Sequence, residues 1–283
     1  MMDFTIGTYK RLLITLRNQG FCFSTFSEFL KGSSEKIIVL RHDVDKLPLN
    51  SLEFAKIESE AGIRVTYYFR SVQESWDEPI IKEIAGLGHE IGYHYEDMNR
   101  CAVRGVRYAE EDLAKIAIGS FAVNLEKLRK IVHVKTICMH GSPMSKWDSR
   151  LLWKYYDYKD FGIIGEPYFD INFDEVLYLT DTGRRWDGGS VNIRDKASGR
   201  KGTEKERDVE ENRAPQTASR KPFPGFHSTF DIIRAAERGE LPDKIMMTFH
   251  PQRWTDKPGP WVRELVWQNV KNVAKYFLIR LSR

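Results

Sequence analysis

The sequence predicts an α/β fold, a distorted (β/α) barrel of about seven parallel strands, from three observations. Short apolar runs of strand length alternate with longer segments of helical periodicity. The chain has 283 residues, enough for one barrel of about 250 residues. Ionisable side chains stand at the carboxyl ends of several apolar runs. We therefore expect a single domain over residues 1–283, with its sheet closed or nearly closed.

Seven segments have the composition of buried strands, because they are rich in aliphatic, β-branched and aromatic residues. Helical segments separate most of them, which predicts βα units and a parallel sheet. The predicted strands are residues 36–43, 64–70, 89–94, 134–140, 161–165, 176–180 and 244–250.

Helical periodicity is visible between and outside these strands. Gly20, Gly62 and Gly88 follow three of the helical segments, as is common at helix ends. The predicted helices are residues 3–19, 24–30, 49–61, 79–87, 106–131 and 260–281.

One segment, at about residues 192–222, departs from this alternation. It consists mostly of Lys, Arg, Glu, Asp, Gly and Ser, so it lacks the apolar surface needed to offset the entropy cost of ordering. We expect a solvated excursion between the sixth and seventh predicted strands. A substrate lid is the functional alternative.

Composition excludes several classes of protein. The net charge of +4 is too small to predict binding to nucleic acid or an anionic membrane. No run of about 20 apolar residues predicts a spanning helix, and the N-terminus does not resemble a secretory signal. The three cysteines form no CxxC pair. We expect a cytoplasmic protein with reduced thiols.

Ionisable side chains end four of the predicted strands. Asp43 ends the first strand and Asp45 lies two residues beyond it, while His94 ends the third, His140 the fourth and His250 the seventh. In a parallel barrel the carboxyl ends of all strands lie at the same edge, and barrel enzymes place their active sites there. Aspartate and histidine bind divalent cations and transfer protons. The set, more than any one member, predicts a catalytic or metal site.

Three motifs resemble those of a known family. Gly-His-Glu-Ile-Gly-Tyr-His at residues 88–94 is similar to the GHEIGNH signature of the NodB-like polysaccharide deacetylases, carbohydrate esterase family 4. Residues 41–45 resemble the first motif of that family, and residues 248–251 resemble its closing motif. Order and rough spacing match over residues 36–254. The chain therefore resembles a divergent member of this family that consists of a single NodB-like domain.

The resemblance implies a metal-dependent hydrolase that removes an acyl group from an N-acylated sugar or related amide. Asp43 would be the general base, and His250 the general acid that protonates the departing amine. Asp45 and His94 would bind a divalent metal, usually zinc in the family. These roles are chemically coherent, because a metal with an open position activates water and polarises a carbonyl group.

The chain departs from the family at the usual third metal ligand, a histidine whose place is taken by Met98. Thioether sulfur is a poor zinc ligand, so Glu96, Asp97 or His140 would have to substitute. We favour His140, because it restores a set of one aspartate and two histidines. Alternatively, His140 orients Asp43.

A second departure concerns an arginine of the family's third motif, which pairs with the base. The fourth predicted strand of this chain is not followed by an arginine there. Arg70, at the end of the second strand, could pair with the base and contribute to substrate binding. Trp186 could replace the aromatic pocket wall of the family, or it could be loop packing.

Two other functions stay open. Met98 suggests a metal-free, carbohydrate-binding pseudoenzyme of the same fold. The same barrel could also hydrolyse a carbon–nitrogen bond in a compound that is not a sugar.

Overall fold

The computed structural model describes residues 2–32, 36–141, 146–186 and 225–281. The predicted excursion at about residues 192–222 lies outside these ranges. The described residues form seven strands and nine α-helices. The strands are β1 (Cys22–Ser24), β2 (Ile37–Val44), β3 (Thr66–Phe69), β4 (Glu90–Tyr95), β5 (Val134–Met139), β6 (Leu177–Thr180) and β7 (Lys244–Phe249).

Helices cover the strands and connect most of them. Thr25 starts the second helix with a capping box, in which Glu28 completes the reciprocal hydrogen bonds. Among the described helices, none is both long and apolar enough to span a membrane. The helices are α1 (Ile6–Asn18), α2 (Phe26–Phe29), α3 (Pro48–Glu60), α4 (Glu78–Gly86), α5 (Asp97–Cys101), α6 (Glu110–Arg129), α7 (Pro167–Asp170), α8 (Thr229–Glu237) and α9 (Pro258–Leu281).

The predicted α/β class and parallel sheet are confirmed. All pairs between the seven strands are parallel, in the order β5-β4-β3-β2-β7-β6. Strand β1 pairs with residues 37–39 of β2, and β3 pairs with residues 41–44. Over the described residues the sheet is not closed, because β5 and β6 do not pair. This is the strand order of a distorted barrel with one gap.

The fifth predicted strand, residues 161–165, is wrong. A 3₁₀ helix, Tyr158–Phe161, occupies its start, and Gly162 is left-handed with a φ of 68°. Only Gly165 pairs with the sheet, through an isolated parallel bridge to Thr136 of β5. The left-handed conformation at Gly162, which glycine adopts without steric cost, interrupts the extended backbone that a strand through this segment would need.

Strand β1 was not expected, because residues 24–30 predict a helix and the strand before them has three residues. A strand that short has too few positions to show a period of two.

Strand β2 organises the core, because all eight of its residues are buried. Val39 packs in a small cluster with Tyr68 and Met246. Ile38 and Leu40 belong to the larger cluster, which includes α1 and α3. Alternate side chains of a strand point to opposite faces, so β2 separates an inner layer of the barrel from an outer layer beneath the helices.

A buried carboxylate fixes the outer face of β2. Glu58 of α3 accepts hydrogen bonds from the hydroxyl groups of Tyr9 and Tyr67, the latter at 2.6 Å. His42 Nε2 lies 2.6 Å from the same carboxylate. Burial raises the pKa of Glu58, but His42, His89 and Tyr67 together outweigh it and the net pKa is lowered. The contacts join α1, α3, β2 and β3.

The second glycine of the 88–94 motif has a packing role. A Cβ atom on Gly92 would lie 2.9 Å from the carbonyl oxygen of Thr136 and would overlap the ring of Tyr68. Strands β3, β4 and β5 therefore approach closely only with glycine at this position.

Candidate active site

The structure brings the five predicted strand-end residues to one edge of the sheet. Asp43 lies near the end of β2, with Asp45 just beyond it, and His94 lies near the end of β4. His140 and His250 directly follow β5 and β7. The strands are parallel, so their carboxyl ends meet at this edge.

Three of these residues form a triangle of possible ligand atoms. The distances are 3.1 Å from Asp45 Oδ1 to His140 Nδ1, 3.2 Å from His140 Nδ1 to His94 Nε2, and 3.8 Å from His94 Nε2 to Asp45 Oδ1. Tetrahedral zinc with bonds of about 2.0–2.1 Å holds its ligand atoms about 3.3 Å apart. The triangle therefore has the size of a zinc site.

The protonation state of His94 suits metal binding. Its Nδ1 lies 2.9 Å from the carbonyl oxygen of Cys138. A carbonyl oxygen only accepts, so Nδ1 carries the proton and Nε2 presents its lone pair to the triangle. Burial lowers the pKa of His94 to about 4. The imidazole is therefore neutral at neutral pH, as a metal ligand must be.

A second possible group of ligands, Asp43, His94 and Cys138, overlaps the first. Burial raises the pKa of the Cys138 thiol well above its usual value. The thiolate is the form that binds metals. The triangle of Asp45, His94 and His140 is therefore the better site.

The charges at the edge also fit a cation. Among the described residues, Oδ1 of Asp43 is buried without a hydrogen-bond partner, and the buried Oδ1 of Asp45 faces Nδ1 of His140 at 3.1 Å. Burial raises the pKa of Asp45, but the neighbouring His140, His250 and His94 lower it to a net value well below the usual one. Two buried carboxylate oxygens with unused lone pairs are suited to a cation, because an unpaired buried charge is otherwise costly.

Asp43, the carboxylate next to the triangle, has a buried guanidinium partner. Arg41 is 1% exposed and donates from Nη2 to Oδ2 of Asp43 at 3.0 Å. Burial raises the pKa of Asp43, but Arg41 and the nearby histidines outweigh it and the net pKa is lowered. Asp43 is therefore ionised at neutral pH, the state that a general base requires.

The expected pairing of Arg70 with the base is wrong. Arg70 instead forms hydrogen bonds of 2.8–3.0 Å to the carboxylate of Glu96. It follows β3, next to the end of β4 from which Glu96 projects, whereas Arg41 shares a strand face with Asp43.

A residue that the sequence did not single out, Asp181, holds His250. Its carboxylate bonds to His250 Nδ1 and accepts the His250 backbone N–H at 2.9 Å. Arg253 Nη1 and Trp254 Nε1 donate to the same carboxylate at 3.1 and 2.7 Å. With Nδ1 engaged, Nε2 of His250 makes no hydrogen bond within the described part of the chain and lies 3.9 Å from Asp45 Oδ2. Asp181 also directly follows a strand, which is the signal that identified the other members.

Asp97, one of the predicted alternatives for the third ligand, and Met98, at the family's usual ligand position, lie in different surroundings. Asp97 accepts hydrogen bonds from Tyr93, Ser120 and Asn124. Burial raises its pKa. Met98 is fully buried in the apolar core. The structure therefore keeps both residues away from the triangle.

Trp186 lies in the outer apolar layer. It is 3% exposed, and its indole N–H donates to Thr229 Oγ1 at 3.0 Å. Its ring packs against Phe249 at a centroid distance of 5.1 Å. The structure therefore does not bring Trp186 into the cluster at the strand ends.

The low pKa of His94 predicts a pH dependence of stability. Above an unfolded-state pKa of about 6.5, neither folded nor unfolded chain binds this proton. As the pH falls from there toward 4, the unfolded chain takes up a proton that the buried imidazole does not, so stability is lost. For metal-free protein taken from about pH 7.5 to about pH 5, we expect this group to lower the free energy of unfolding by about 2 kcal/mol.

Urea denaturation of the wild type and of His94→Asn checks this expectation. The decline over this pH range should be smaller in His94→Asn, whereas His133→Asn, at an exposed position, should retain it. An equal decline in all three proteins would show that His94 is not responsible.

No protein-family model and no curated protein matches the sequence. Solved structures of carbohydrate esterase family 4 proteins do resemble the fold. A Streptococcus mutans esterase is 11% identical, with 90% of this chain and 88% of that chain covered and a TM-score of 0.41. A Bacillus anthracis pseudoenzyme is 11% identical, with 86% and 62% covered and a TM-score of 0.40. This chain thus spans about three fifths of the pseudoenzyme's length.

A further similar structure is a family 4 acetyl xylan esterase from Clostridium thermocellum, solved in complex with a cobalt ion. It is 13% identical, with 83% of this chain and 84% of that chain covered and a TM-score of 0.34.

Proposed function

We propose that this protein is a metal-dependent deacetylase that removes an acyl group from an N-acylated sugar or a related amide. The observation that carries the proposal is the triangle of Asp45, His94 and His140, with a candidate base and a candidate acid beside it. Oxygen Oδ2 of Asp43 lies 3.8 Å from His94 Nε2, and Nε2 of His250 lies 3.9 Å from Asp45 Oδ2.

The triangle would hold a divalent ion, and its donor set of two imidazole nitrogens and one carboxylate oxygen favours zinc. A bound ion would supply Lewis acidity, polarising an acyl oxygen and lowering the pKa of a coordinated water. Three protein ligands leave one position of a tetrahedral ion open, as in catalytic zinc sites.

Asp43 would act as the general base, because it is ionised and its Oδ1 has no hydrogen-bond partner among the residues that the structure describes. It would accept a proton from the water that attacks the acyl carbon. Arg41 would keep Asp43 ionised and fix the orientation of its carboxylate through Oδ2.

His250 would act as the general acid and protonate the leaving nitrogen from Nε2. An amide needs this proton, because a free amide anion is a very poor leaving group. Asp181 would orient the imidazole and stabilise its protonated form, as the aspartate does in a Ser-His-Asp triad.

The substrate class is inferred from the motifs at residues 41–45, 88–94 and 248–251, and the chemistry above applies to any accessible amide. The cytoplasmic location, the single domain and the absence of nucleic-acid binding also stay predictions of the sequence.

Metal analysis combined with a substrate panel tests the proposal. Purified protein is loaded with zinc, dialysed, analysed for bound metal and assayed for acetate release from N-acetylated mono- and oligosaccharides and from non-sugar amides. We expect about one ion per chain and release from an N-acetyl sugar that chelator abolishes and zinc restores. Sugar binding without bound metal or turnover would support the pseudoenzyme instead. Acetate release only from non-sugar amides would assign the enzyme to a substrate that is not a sugar.

A further inference from the structure

We propose that Glu96 is a positioning residue that fixes His140 as the third metal ligand, with Arg70 holding Glu96 in place. The inference rests on the proposed function, because it concerns the same metal site. It explains how His140, just after β5, could serve as the third ligand although Met98, at the family's usual ligand position, is buried in the core.

The two nitrogens of His140 face different partners. Nδ1 faces the triangle, 3.1 Å from Asp45 Oδ1 and 3.2 Å from His94 Nε2. Nε2 lies on the other side of the ring, 3.9 Å from Oε2 of Glu96. A histidine that gives Nδ1 to a metal carries its proton on Nε2. At 3.9 Å the contact is longer than a hydrogen bond, but a carboxylate on that side favours this tautomer electrostatically and would accept the Nε2 proton when the ring turns toward it.

The carboxylate of Glu96 is itself held firmly. Glu96 is 7% exposed and receives a fork of three hydrogen bonds from Nε and Nη2 of Arg70. Nη1 of Arg70 donates to the backbone carbonyl of Asp45 at 3.2 Å. Arg70 therefore connects the segment that carries one ligand, Asp45, with the carboxylate that faces another.

His140 needs such support more than His94 does. His94 lies within β4, and a backbone carbonyl fixes its Nδ1. His140 lies one residue beyond β5, where its backbone N–H bonds to the carbonyl of Tyr95. Its side chain is 15% exposed. A side-chain partner on the Nε2 side would therefore limit rotation of the ring.

The test is a double-mutant cycle on metal affinity. The affinity of the full-length protein for zinc is measured by chelator competition in the wild type, Glu96→Gln, His140→Ala and the double variant. We expect Glu96→Gln alone to weaken zinc binding by about 10- to 100-fold, as loss of an outer-shell partner does. In the His140→Ala background the same change should have almost no effect, because the two residues act through one interaction.

Cobalt absorption separates positioning from direct ligation. Glu96→Gln should retain the visible spectrum of four-coordinate Co²⁺ at saturation, because its ligand set is unchanged. Glu60→Gln, at an exposed position, is the matched control and should change neither affinity nor spectrum. If Glu96→Gln unfolds, Arg70→Lys replaces it in the cycle, with the same expected direction.

Three results would overturn the inference: wild-type zinc affinity in Glu96→Gln, an equal loss in the His140→Ala background, or a changed cobalt spectrum. In each case a wild type that binds zinc leaves the proposed function in place. A wild type that binds neither zinc nor cobalt overturns both.

Discussion

Replacement of Asp45 by asparagine should remove stoichiometric zinc and, with it, deacetylation. Asp45 is the anionic member of the triangle, and no guanidinium side chain is paired with its carboxylate in the described part of the chain. Neutralising it removes the charge that offsets the cost of bringing a divalent ion into a buried site. We expect zinc affinity to fall at least about 100-fold, beyond the loss typical of an outer-shell partner, and acetate release to fall to background.

Asp160→Asn, at an exposed position, is the matched control and should retain both properties. Bound zinc, measured after dialysis against a competing chelator, is the decisive quantity because it does not require the correct substrate. A fully loaded Asp45→Asn protein of unchanged affinity would refute the triangle as the metal site.

Replacement of Asp43 by asparagine should have a different signature: zinc retained and turnover lost. In our proposal Asp43 transfers a proton and is not a ligand, so its loss removes general base catalysis, which contributes about 10²- to 10⁴-fold. We expect kcat for an N-acetylated sugar to fall within this range while zinc affinity changes little. Loss of zinc together with turnover would instead assign Asp43 to the metal, in the overlapping group with Cys138.

Arg41→Met provides a graded companion to this variant. Asp43 must be ionised to act, so activity is lost as the pH falls through its pKa. Burial raises that pKa and Arg41 lowers it, so removing the guanidinium should move the acidic limb of the pH–rate profile to higher pH. If the acidic limb of Arg41→Met lies at the same pH as in the wild type, Arg41 does not control the pKa of Asp43. Urea denaturation of both variants measures the cost of leaving a buried partner unpaired.

The meeting of the candidate site residues could be predicted because it follows from one rule about parallel strands. Asp43, Asp45, His94, His140 and His250 each follow or end an apolar run, so their convergence required only the correct strand assignments. Asp181 satisfies the same rule and could have been included, since it directly follows β6.

The partners of these residues were harder to predict. Arg41 is two positions before Asp43, so a period of two places both side chains on one face, but the sequence prediction assigned the pairing to Arg70 instead. The burial of Met98 depends on how α5 packs, and Asp97 is fixed by two residues of α6. Such contacts depend on tertiary packing, which a single sequence does not specify.

The alternation along β2 links catalysis to folding. Arg41 and Asp43 point to the inner layer, while His42 between them meets Glu58 in the outer layer. Inserting or deleting one residue just before this stretch would exchange the two sets, directing an imidazole inward and two formal charges into an aromatic interior. Insertion or deletion of a single residue at this point is therefore expected to yield insoluble protein. Insertion or deletion of two residues would keep each side chain on its present face.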